Sequence, residues 1–114
     1  EGSSFAAKAA IASMKQGRYW ELHQALIEAD GPIDEKRTLE IAKSVGLDTE
    51  RLVEDMKDDG VENIIRQNHE LAQKLGINGT PAFIVGDKLI PGAISAEGLA
   101  QEVATVREKG CAGC

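Results

Sequence analysis

A chain of 114 residues with 42% hydrophobic and 28% charged residues has the composition of one small globular domain, which excludes collagen-like, low-complexity and intrinsically disordered classes. Lys and Arg total 13 against 19 Asp and Glu, and the resulting net charge of −6 lacks the basic field that nonspecific nucleic-acid or anionic-membrane binding needs, so neither partner is expected. No apolar run approaches the roughly 18 residues of a spanning helix. The start Glu1-Gly2-Ser3-Ser4 has no basic region followed by an apolar stretch, so an exported form would already have lost its signal.

In chain order, Ser4 to Gln16 reads as a helix rich in small residues (Ala6, Ala7, Ala9, Ala10, Ala12) and stopping at Gly17. A second helix, Arg18 to Ala29, places Tyr19, Leu22, His23 and Leu26 on one stripe with Trp20 and Ile27 beside it and ends at Gly31-Pro32. Asp34 can cap a third helix with Leu39, Ile41, Ala42 and Val45 facing inward, and Asp48 a short fourth with Leu52, Val53 and Met56. Asp59 followed by Glu62 resembles a capping box for a fifth, whose stripe of Val61, Ile64, Ile65, Leu71, Ala72 and Leu75 ends at Gly76. Asn68 falls in that stripe and should be hydrogen-bonded if buried.

The period then changes. Ala82 to Val85 and Lys88 to Ile90 read as strands joined by a two-residue Gly86-Asp87 turn, and Ser95 caps a last helix bearing Leu99, Val103 and Val106. A lone hairpin is marginal in water, and no other segment offers a strand. Partner strands are therefore expected from a second chain or from a stretch preceding Glu1.

The segment Gly76-Ile77-Asn78-Gly79-Thr80-Pro81-Ala82-Phe83 before the hairpin resembles the Thr-Pro loop of DsbA-like thiol-disulfide oxidoreductases of the thioredoxin superfamily. The stretch from Gln16-Gly17-Arg18-Tyr19-Trp20-Glu21-Leu22-His23 through Asp48 is similar to that family's helical insert. The resemblance implies an α/β fold in which residues 1–75 form the helical insert, 76–108 the C-terminal half of a thioredoxin-like domain, and 109–114 a flexible Cys-containing tail. It also implies a cis Thr80-Pro81 bond, with Pro81 against an active-site disulfide and the Thr80 backbone pairing with an extended client. The family's parallel strands and catalytic Cys-x-x-Cys would lie upstream of Glu1, which leaves the isolated chain inactive. Cysteine-bearing client proteins, an unidentified redox partner and an extracytoplasmic setting follow by the same resemblance, and no cofactor does.

Cys111 and Cys114 are the only cysteines, and their Cys-x-x-Cys spacing matches an active-site pair. Their position does not. They follow a helix instead of opening one, and Cys114 is the last residue given, where a carboxylate disfavours a thiolate. A disulfide-forming tail is the simplest expectation, with an auxiliary redox role or capture of a soft ion such as Zn²⁺ or Cu⁺ as alternatives. Two ligands fall short of the four a structural zinc site uses. His23 and His69 lack helical metal-ligand partners and read as packing or surface residues. Tyr19 and Trp20 read as core more readily than as a client groove, Met14 and Met56 as packing residues, and Glu54-Asp55 and Asp58-Asp59 as solvated helix ends. From a different class of function, a noncatalytic helical module could self-associate through the hairpin edge.

Overall fold

The computed structural model describes residues 2–114; Glu1, the first residue of the expected insert, lies outside them. Its α/β architecture joins six α-helices and a two-stranded antiparallel hairpin, with the helices first and the hairpin followed by one helix. Two compact units divide between Asn68 and His69, inside the fifth helix and not at the Gly76 turn.

In the first unit, α1 (Gly2–Ala12) uses alanines to approach its neighbours closely, and Ala9 and Ala12 are buried. The single helix expected from Ser4 to Gln16 starts two residues earlier and tightens into a 3-10 turn over Ser13–Gln16. The cause is local. The buried Ser13 hydroxyl donates to the Ala10 carbonyl at 2.6 Å, and Gly17, at φ 67°, donates its N–H to the Met14 carbonyl.

Next, α2 (Tyr19–Glu28) buries Leu22, and α3 (Glu35–Ser44) buries Thr38, Ile41 and Ala42. The Asp34 carboxylate accepts from the Arg37 N–H at 2.7 Å, and Asp48 caps α4 (Thr49–Asp55) by accepting from the Arg51 N–H at 3.0 Å. Leu47, Leu52 and Val61 complete the core with residues of α1, α2 and α3. Gln16 joins distant segments of this unit. Its side-chain amide donates to the Asp48 carbonyl at 3.0 Å and accepts from the Asp48 N–H at 2.9 Å, imitating a backbone pair across 32 residues.

Several expected environments differ. Trp20 is 61% exposed, Ile27 71% and Met14 52%, so their helical spacing marks an outward face and not core. Tyr19 is also exposed, and its ring and that of Trp20 each stack on His23 at a centroid distance of 5.7 Å, an arrangement that covers part of these rings without a core. Met56 does pack against the core. The acidic helix ends are not simply solvated: Lys15 bridges Asp58 at 2.6 Å and Asp55 at 3.6 Å, and Lys57 pairs with Glu54 at 2.7 Å. The hydrogen bond from Lys15, aided by the Gly60 N–H, holds the Asp58 carboxyl below its ordinary range.

The fifth helix, α5 (Asp59–Lys74), starts differently from the expected capping box. Asp59 lies inside the helix, and Asp58 accepts from the Gly60 N–H at 2.7 Å, because its neighbouring bond to Lys15 already fixes that carboxylate at the helix start. The stripe forms, but only Val61 is buried, Ile64, Leu71 and Leu75 stay open, and Asn68 is exposed. At the far end, Gly76 takes φ 71° and Ile77 donates to the Ala72 carbonyl at 2.8 Å, closing the helix as a left-handed glycine cap does.

Among the described residues, no helix is long and apolar enough to cross a membrane. Core burial predicts that Leu22→Ala lowers stability by about 2–5 kcal/mol, whereas Trp20→Ala changes it by less than about 0.5 kcal/mol. Urea unfolding followed by far-ultraviolet circular dichroism checks both; similar losses would show that the exposed aromatic face supports the fold.

Candidate functional site

The second unit is built around strands β1 (Ala82–Val85) and β2 (Lys88–Pro91). β-Branched and aromatic side chains favour the extended backbone, and Gly86, at φ 65°, turns the chain between Val85 and Lys88. The register pairs Ala82 with Pro91, Phe83 with Ile90, Ile84 with Leu89 and Val85 with Lys88. Helix α6 (Ala96–Lys109) is capped by Ser95, whose hydroxyl accepts from the Gly98 N–H at 3.0 Å, and packs against β1. Lys88 on β2 pairs with Glu102 on α6 at 2.7 Å.

Hydrogen bonding along the ladder determines what each edge offers. Just beyond the strands, the Gly92 N–H donates to the Pro81 carbonyl at 2.9 Å. Bonded and open pairs alternate in an antiparallel ladder, so Phe83 and Val85 spend their backbone groups on β2, and those of Ala82 and Ile84 point to the other side of β1. The corresponding outer edge of β2 carries Leu89 and Pro91. Pro91 has no N–H to donate, which blunts that edge. Ile84 is 49% exposed, so β1 combines an unpaired edge with uncovered apolar surface.

Thr80 and Pro81 precede this open edge, and the bond between them is cis. Together with Ile77, Leu89, Pro91 and Gly92 they line a cleft of about 300 Å³. Thr80 is exposed and, among the described residues, takes no part in a backbone hydrogen bond. The loop thus offers peptide groups beside an apolar cleft.

Cys111 and Cys114 lie elsewhere. They form a disulfide, with Cα atoms 5.4 Å apart, at the Gly86-Asp87 end of the hairpin, opposite the Thr80 end. The segment expected to be a flexible tail makes definite contacts there: the Ala112 N–H donates to Asp87 Oδ2 at 3.1 Å, and Cys111 is half-buried. Sequence reasoning assigned Asp87 only to the turn; its bond to Ala112 spans 25 residues and has no local signal. Among the described residues, no three His, Cys, Asp or Glu side chains gather around a common point that could hold a metal ion, and His69 is exposed.

Residues 1–104 match the DSBA-like thioredoxin domain family. Among solved structures, the chain is 47% identical to a thioredoxin-like oxidoreductase from Silicibacter pomeroyi DSS-3, with a TM-score of 0.86 over 95% of this chain and 62% of that one. It is 31% identical to the catalytic domain of Proteus mirabilis ScsC, with a TM-score of 0.76 over 96% of this chain and 60% of that one. The thiol-disulfide exchange protein alpha-DsbA2 from Wolbachia pipientis is also 31% identical, with a TM-score of 0.77 over 93% of this chain and 59% of that one. A Na(+)/H(+) antiporter, NhaA 3 of Salinispora tropica, shares 30% identity over 89% of this chain, in a stretch making up 16% of that protein. The chain therefore spans about three fifths of the solved relatives and a much smaller share of the antiporter.

The close seat of the hairpin turn gives a direct prediction. A Cβ at Gly86 would stand 3.0 Å from Val106 Cγ2 and 3.1 Å from Cys111 Cβ, at a φ of +65° that side chains rarely adopt. Gly86→Ala should destabilise the second unit by about 1–3 kcal/mol, read as faster hydrogen exchange at Phe83 and Val85. Unchanged exchange would show that the turn is loosely packed.

Proposed function

The chain belongs to the DSBA-like thioredoxin domain family, whose solved members similar to it include thiol-disulfide oxidoreductases, and on that premise we propose that it is the client-binding part of a protein-disulfide oxidoreductase. The observation that carries this reading is the placement of Thr80: its backbone stands free beside an apolar cleft and next to the open edge of β1. An extended peptide can add to such an edge through main-chain hydrogen bonds, while neighbouring pockets read its side chains. Pro81 lines the same cleft.

The exchange chemistry needs a thiolate that attacks a disulfide sulfur, forms a mixed disulfide and is displaced by a second thiol. Cys111 and Cys114 sit at the other end of the hairpin from Thr80, so they are poorly placed to attack a client held at the loop. The principal dithiol is therefore assigned to a part of the protein outside these 114 residues, and the work to an oxidising, extracytoplasmic space, where disulfides persist. The clients are proteins with cysteines, and the 114-residue chain alone binds a client at Thr80 without exchanging its disulfides there.

A second reading rests on the same open edge. Two copies joined through β1 would satisfy the Ala82 and Ile84 backbone groups and cover Ile84, making the chain a noncatalytic association module.

Oxidation of a reduced two-cysteine peptide by this chain and by a form extended upstream distinguishes these readings. The extended form should be at least about 100-fold faster, and the same peptide should shift the Thr80 and Ala82 amide signals of the chain in nuclear magnetic resonance. Equal rates would overturn the assignment of the dithiol, and a concentration-dependent dimer that ignores the peptide would favour the association module.

A further inference from the structure

Outside the Thr80 loop, one chemically reactive group has a built setting: the Cys111–Cys114 disulfide on the hairpin turn. We propose that this pair is a second redox site, oxidised at rest, which accepts electrons from a protein or small-molecule dithiol and whose disulfide form latches the segment after α6 to Asp87.

Three features support the latch. The N–H of Ala112, between the two cysteines in sequence, donates to Asp87 Oδ2 at 3.1 Å. Gly86 brings the turn so near Cys111 that even one added carbon would lie 3.1 Å from its Cβ, and a carbon added at Gly113 would stand 3.7 Å from the Asp87 Cβ. The two sulfurs also differ in access, since Cys111 is half-buried and Cys114 exposed.

Electrostatics favours the oxidised form as the resting one. Reactive pairs of this spacing are made oxidising by groups that stabilise the thiolate, such as a helix N-terminus. This pair instead follows the C-terminal end of α6, where the helix dipole is negative, and a carboxylate holds the intervening amide. The dithiol has no helix N-terminus beside it, and Arg107 and Lys109 in the last turn of α6 offset only part of the negative dipole, while the disulfide keeps the Ala112 bond and the close approach to Gly86.

Reduction proceeds in two balanced steps. A thiolate of the incoming dithiol attacks the exposed Cys114 sulfur, the Cys111–Cys114 bond breaks, and Cys111 leaves as a thiolate that takes up a proton. The donor's second thiol then loses its proton and attacks the mixed disulfide, and Cys114 leaves as a thiolate and is protonated. The donor ends as a disulfide, and two electrons and two protons have passed to the pair. The Ala112 amide is then free to leave Asp87. This site stands at the opposite end of the hairpin from Thr80 and does not depend on the client-binding reading.

Glutathione redox buffers test the idea, with the disulfide fraction read by thiol alkylation and mass spectrometry in the 114-residue chain and in a synthetic peptide of residues 109–114. The pair should be at least about five-fold harder to reduce in the protein than in the peptide, the size of effect that one net hydrogen bond gives. Asp87→Ala should remove most of that difference, Asp87→Asn, which keeps an acceptor oxygen, should stay within about two-fold of the parent, and reduction should speed Ala112 amide exchange about ten-fold. Equal equilibria in protein and peptide, a difference indifferent to Asp87→Ala, or a disulfide that no dithiol reduces would each overturn the proposal.

Discussion

Alternation of bonded and open pairs along β1 leaves the backbone groups of Ala82 and Ile84 without a partner in the hairpin, while Pro91 blunts the same kind of edge on β2. The second unit is organised around this asymmetry. An unpaired peptide group is tolerable in water and costly when buried dry, so β1 either stays wet or acquires a strand. A hairpin alone is marginal, and here it is supported on the protein side by α6, the Lys88–Glu102 ion pair and the Gly92 to Pro81 bond.

The ends of that hairpin carry different chemistry. At the Thr80 end lies a loop with free backbone beside an apolar cleft. At the Gly86 end lies a disulfide held by a carboxylate. From Ala82 to Val85 β1 rises three steps, about 10 Å at 3.4 Å per residue, and Thr80 and Gly86 lie beyond its two ends, too far for one sulfur to serve both without a large rearrangement. The helical first unit has its own closed core, and Gln16 and Lys15 tie its early turn to the start of α4 and the end of that helix.

Much of the fold was legible in the sequence because its signals are local. Asp34, Asp48 and Ser95 cap helices as their residue types suggest, Gly76 ends α5, and Gly86-Asp87 turns the hairpin. The Thr80-Pro81 motif pointed to the family that the chain belongs to. What escaped depends on contacts between distant residues. Asp58 displaced Asp59 at the start of α5 because Lys15, 43 residues away, binds its carboxylate. Trp20 and Ile27 share a helical stripe with apolar neighbours, yet α2 is covered on the Leu22 side, and spacing alone does not say which side a neighbour occupies. The seat of Cys111 on Gly86 was equally invisible, since nothing in Cys-Ala-Gly-Cys refers to a turn 25 residues earlier.

Amide hydrogen exchange along β1 tests the open edge most directly. The Phe83 and Val85 amides should be protected by β2, with Ala82 and Ile84 exchanging at least about ten-fold faster and slowing when an extended cysteine peptide is added. Protection of all four residues in the dilute chain without peptide would contradict the open edge and show that β1 already has a partner.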